Sequence, residues 1–116
     1  MYNFGSIPFF ASNNNLIEKN PEGIPICIVS PSLSGDPTHG STLSVVLGEW
    51  AERTQGFRYE WFRDNQSIST TEEYTVVDRD LGYNIKCVIK AFNPQGDSLA
   101  STRPVLIIPR EQTRRE

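Results

Sequence analysis

The single histidine, His39, lies in the run "DPTHG" beside Gly40. An imidazole acts as general base to a serine or cysteine nucleophile only when folding brings the two together and a third group orients the ring; in this run of turn formers it reads as an exposed turn residue. Carboxylates gather at Glu72, Glu73, Asp78 and Asp80, with Asp97 on a later loop. Paired carboxylates do acid/base work, and alternating Asp or Asn oxygens around a glycine hold calcium. Neither spacing is present, so the cluster is expected to be solvated loop charge. "SGDPTHGST" has glycines but lacks the lysine and the strand-to-helix context of a phosphate loop. Cys27 and Cys87 fit no zinc spacing and are too few for a disulfide scaffold, so two buried thiols are expected, with one bridge between them as the alternative. The inventory points away from an enzyme, a metal or a cofactor.

Two other sets of residues carry binding chemistry. The opening "MYNFGSIPFF" crowds Tyr2, Phe4, Ile7, Phe9 and Phe10 into ten residues, and "IPICIV" adds Ile26 and Ile28. Such side chains gain nothing in water and need a surface to bury against. Three aromatics placed on a partner supply on the order of 5 kcal/mol before the ordering cost is subtracted. The alternative is an arm folded back on its own domain, and "IPICIV" suits an edge strand added either to that domain or to a neighbour's sheet. The second set is Arg58, Glu60 and Phe62 with Lys86, Val88 and Lys90, the outward residues of two later strands. Glu60 is expected to pair with one of the lysines across the strands; Phe62 faces solvent and has no place in the core.

The elements that position these residues are strands. Short apolar runs recur every 8 to 12 residues or so from Ser30 onward, punctuated by Gly, Pro, Asn and Asp. Period-2 alternation puts Leu43, Val45 and Leu47 on one face, Phe57, Tyr59 and Trp61 on another, and Tyr74 with Val76 on a third. In "YNIKCVIKA" it turns Tyr83, Ile85, Cys87, Ile89 and Ala91 inward. Trp61, with two aromatics on its own side, is expected to fill the core instead of facing a ligand. "RPVLII" is apolar on both faces, so it is either covered on both sides or meets a partner. With 116 residues, 37% hydrophobic, the chain suits one domain. A net charge of −3, without a basic run, argues against nucleic acid. No apolar run of about 20 residues and no charged leader argue against a membrane span or an export signal.

In order, these residues resemble the immunoglobulin-like modules of bacterial surface proteins and tailed-phage virion proteins. Pro31 and Gly35 match the module's opening, and Gly40 and Leu43 its second strand, followed by Gly48 and Trp50. Tyr59, Trp61 and Arg63 match the third strand, with Ile68 beyond it. Tyr74 and Thr75 precede the Asp80–Gly82 corner, and Ile85, Ala91, Asn93 and Gly96 complete the last hairpin. Gly82 permits a tight corner there and the Asp80 carboxylate can bond nearby backbone amides. The resemblance spans about residues 30 to 108 and implies an all-β, immunoglobulin-like β-sandwich of about seven antiparallel strands. Trp50, Trp61, Tyr59, Tyr74, Ile85 and Cys87 are its structural residues. The sequence departs from antibody domains in lacking their inter-sheet disulfide, because the second strand, "TLSVVL", has no cysteine; the fold is expected to stand on packing alone.

Three segments follow: a partner-binding arm (1–29), the sandwich (30–108) and a charged tail (109–116). Together with the resemblance, they imply a virion structural protein made in the host cytoplasm without a signal peptide. Its expected role is capsid decoration, docking through the arm on the major capsid protein or other virion subunits, with room for a homo-oligomer on the particle. The alternatives are a tail, neck or baseplate accessory, and a carbohydrate-binding module using Phe62 or Trp50 to stack on host-surface glycans.

Overall fold

The computed structural model describes residues 23–51 and 53–110. In chain order the strands are β1 (Ile26–Val29), β2 (Ser32–Ser34), β3 (Thr42–Val46), β4 (Glu49–Ala51), β5 (Gly56–Arg63), β6 (Gln66–Ser69), β7 (Glu73–Thr75), β8 (Asn84–Asn93), β9 (Gly96–Ser101) and β10 (Val105–Leu106), with a 3-10 turn at Asp78–Asp80. The fold is all-β, with its named strands paired antiparallel. β2, β3 and β7 form one sheet in that order. A larger sheet runs β10-β8-β5-β6, and β9 pairs with the same long strand β8. β9 meets Val88–Asn93 and β10 meets Asn84–Ile85, so the two are successive stretches of one sheet edge, interrupted around Pro104, a residue with no N–H to give a ladder.

The two sheets close on one core as a β-sandwich. Leu33, Leu43, Val45 and Tyr74 from the smaller sheet meet Trp61, Ile85, Cys87 and Ile89 from the larger. The register explains the stacking: Trp61 lies opposite Cys87, Tyr59 opposite Ile89 and Phe57 opposite Ala91, so the inward positions of β5 and β8 form one continuous apolar layer. Trp61 has no accessible surface. Its indole N–H donates to the Thr71 carbonyl at 2.7 Å and its ring stacks on Tyr74 at 5.7 Å, so the one polar atom of the buried side chain is satisfied. Burying each large side chain in this layer contributes roughly 1.5–3 kcal/mol.

Trp50 sits half-buried at the rim, edge-on to Phe57 at 5.7 Å, and donates to the Leu47 carbonyl at 2.8 Å. It belongs to β4, which among the described residues pairs only with β1. The edge strand anticipated in "IPICIV" is thus added to this chain's own β4. Gly48, at φ +79°, makes this possible: a side chain there would collide with the Val29 carbonyl oxygen. Asn93 fastens the adjoining loops. Its side-chain oxygen accepts from the Gln95 and Gly96 amides in the β8–β9 hairpin, and its amide donates to the carbonyls of Gly23 and Arg53.

Two strand-level expectations change. Tyr83 is not inward: β8 begins at Asn84, and Tyr83 is 46% exposed in the corner before it. "RPVLII" has one covered side, with Ile107 buried and Val105 packed on the core, while Leu106 and Ile108 are exposed.

Candidate functional site

The outer face of the larger sheet juxtaposes charged and apolar groups. Alternation sends Arg58, Glu60 and Phe62 of β5 and Lys86, Val88 and Lys90 of β8 to this side. The register sets Arg58 opposite Lys90, Glu60 opposite Val88 and Phe62 opposite Lys86. The sequence expectation of a Glu60–lysine pair is therefore corrected: Glu60 faces a valine and accepts a 2.6 Å hydrogen bond from the Ser67 hydroxyl on β6 instead. Phe62 is also not free in solvent. It is half-buried, with the Lys86 ammonium 5.9 Å from its ring centroid.

The outward series read from the sequence ends one residue short on β8 and includes no residue of β9. Phe92 continues the outward series and lies opposite Gly56, where an added side-chain carbon would strike its ring; the Arg58 guanidinium stands 5.0 Å from that ring's centroid. Across β8, Leu99 of β9 lies opposite Lys90 and is 64% exposed. Both follow from extending the period-2 pattern through "KAFN" and "GDSLAS".

The carboxylate cluster divides in two. Asp80 is not solvated: it has no accessible surface and accepts from the Arg63 guanidinium at 2.8 Å, the Tyr74 hydroxyl at 2.6 Å and the Val77 amide at 3.0 Å. Burial alone would raise its pKa. The hydrogen bonds from Tyr74, Val77 and Arg63 and the charge of Arg63 outweigh that, holding the carboxyl below its ordinary range. Burial, then the bond to Asp80, pushes Tyr74 up to about 12. This arrangement ties β5, β7 and the 3-10 turn together as a brace. Asp78 stays exposed, 3.9 Å from the His39 ring, and no cluster of three or more potential ligands among the described residues could hold a metal ion.

Cys87 is buried, and burial pushes its thiol up to about 11. Cys27 is also free but only half-buried, which corrects the expectation of two buried thiols. Tyr59, Trp50 and Tyr74 are half-buried against the core, while Trp61 and Ile85 are fully buried. Of the arm residues, Tyr2, Phe4, Ile7, Phe9 and Phe10 lie outside the described residues. Ile26 and Ile28 stand on β1, 39% and 61% exposed. No helix among the described residues is long and apolar enough to cross a membrane. In comparisons with known proteins, no family model, curated protein or solved structure matches the chain.

Proposed function

We propose that this chain is a non-enzymatic structural binding protein of the virion, with an immunoglobulin-like sandwich that docks through residues 1–29 and displays the sandwich outward; among virion roles, capsid decoration is favoured. The strand order supports the immunoglobulin-like reading. One sheet takes the first, second and fifth strands of the resembling module (β2, β3, β7), and the other takes the third, its neighbour, the sixth and the last (β5, β6, β8, β9/β10). The observation that carries the docking reading is the contrast between core and arm. Residues 33–107 supply a continuous core around Trp61, whereas β1, which continues the arm, leaves Ile26 and Ile28 exposed.

The exposed side of the last strand, Leu106 and Ile108, favours a second reading, a tail, neck or baseplate accessory held between other subunits. Stacking of neutral glycans on Phe62 is disfavoured because Lys86 already stands over the ring. Deleting residues 1–12 tests the docking reading: particle association should be lost while the circular dichroism spectrum and melting temperature persist. Retained association would overturn it.

A further inference from the structure

The outer face of the larger sheet carries Arg58, Lys86 and Lys90 on its two central strands, on a chain whose net charge is −3. Arg58 and Lys90 are directly opposed across the ladder, an arrangement that costs stability because like charges repel. Lys86 and Lys90 follow at alternate positions of β8, about 13 Å apart end to end at roughly 3.3 Å per residue. Two carboxylates share this face, Glu60, which accepts from Ser67, and the exposed Asp97, opposite Phe92 on β9, so the three cations outnumber the acids there.

Between these cations the face is aliphatic. Val88 lies between the two lysines on β8, and Leu99 protrudes beside Lys90, 64% exposed. The aromatic rings are not free platforms: Phe92 lies against Gly56 beneath Arg58, and Phe62 lies beneath Lys86. A ligand approaching this face therefore meets cations and aliphatic groups before it meets a ring. Cations on the central strands beside exposed aliphatic groups suit the mixed polar and apolar contacts of a protein interface, whereas sugar recognition would use the ring faces that the cations here occupy.

The geometry points to this face as the docking site for an acidic protein surface, whose carboxylates meet Arg58, Lys86 and Lys90 while aliphatic side chains cover Val88 and Leu99. The inference rests on the reading of the sandwich as a displayed binding module. It specifies the chemistry of the partner, and it concerns a different surface from the arm.

The full chain, isotopically labelled, is titrated with three probes while its backbone amide and methyl resonances are followed. The probes are a short peptide alternating glutamate with leucine, the same peptide with glutamine for glutamate, and polygalacturonate. Expected are shifts confined to Arg58, Phe62, Lys86, Val88, Lys90 and Leu99 with the first peptide alone, weakened about tenfold or more by added salt or by the double substitution Lys86→Glu/Lys90→Glu. Replacing Leu99 by Ser should weaken binding without changing its salt dependence, which separates aliphatic contact from charge. An unchanged melting temperature of each variant excludes misfolding as the cause. Equal binding of the glutamine peptide, stronger binding of polygalacturonate, absent binding, or shifts elsewhere would each overturn the proposal. So would displacement of these same resonances on deleting residues 1–22 without any probe, since the arm would then be the occupant. None of these outcomes depends on particle association, so failure here leaves the arm-docking reading to its own test.

Discussion

Replacing Asp80 by alanine should be among the most damaging single changes in the sandwich, although nothing about position 80 involves the hydrophobic core directly. The carboxylate accepts three hydrogen bonds, and its loss strands the Arg63 guanidinium, the Tyr74 hydroxyl and the Val77 amide together. Removing one member of a buried ion pair costs about 3–5 kcal/mol. Arg63 retains 13% side-chain exposure and can recover some hydration, which places the expected loss near the lower end, about 3 kcal/mol. Against a total stability of roughly 5–15 kcal/mol for such a domain, that is a large fraction. Tyr74→Phe should cost about 1 kcal/mol, since it removes one bond and keeps the ring stacked on Trp61. Urea unfolding followed by tryptophan fluorescence measures both, and the double variant should lose less than the sum because the two side chains share a bond. The pH dependence has a definite sign. The folded-state pKa of Asp80 lies below its unfolded value, so its contribution is whole above about pH 4 and is lost as pH falls through the lower folded value. Asp80→Asn should therefore flatten part of the acid limb of the stability curve. A loss under about 1 kcal/mol for Asp80→Ala, or additive single variants, would refute the brace.

Two further outcomes are expected. Tyr74 is raised from 10.0 to about 12 and Cys87 from 9.0 to about 11, so folding favours their protonated forms; stability should decline as pH rises from about 9 to 12, measurable as a falling urea midpoint, and Tyr74→Phe should remove part of that decline. Gly48→Ala should unseat β1 from β4, because the new methyl meets the Val29 carbonyl oxygen. Amide exchange at Ile26–Val29 should then accelerate while the protection of β5 and β8 is retained.

The interior was legible in the sequence because one-sided strands write it at alternate positions. Phe57, Tyr59 and Trp61, then Ile85, Cys87 and Ile89, are inward as their period requires. Trp61 reads as a core residue because its aromatic neighbours share its face. What escaped depends on which strands meet and in what register. Glu60 has a lysine within reach in any list of outward residues, but the register opposes it to Val88 and brings Ser67 to it from β6. At Asp80 the bond to a nearby backbone amide, that of Val77, is legible at the corner, but not the placing of the carboxylate beneath Arg63 and Tyr74, seventeen and six residues away in the chain. An alternation extended one residue beyond the strand turns Tyr83 inward, but the Gly82 corner resets it and leaves its ring 5.8 Å from the Arg63 guanidinium. The β1–β4 pair is a contact across two connecting strands, for which the local pattern of "IPICIV" holds no address.

The most direct test is whether the arm's aromatic side chains stabilise this chain by itself. The full-length protein carrying Ser in place of Tyr2, Phe4, Phe9 and Phe10 is unfolded in urea beside the unaltered protein. If the β-module stands alone and the arm's apolar groups find their burial on another molecule, the two unfolding free energies agree to within about 0.5 kcal/mol, as for exposed positions. A deficit of several kcal/mol, on the scale of about 3–5 kcal/mol per large aromatic lost from a core, would place those rings inside this domain and contradict the account.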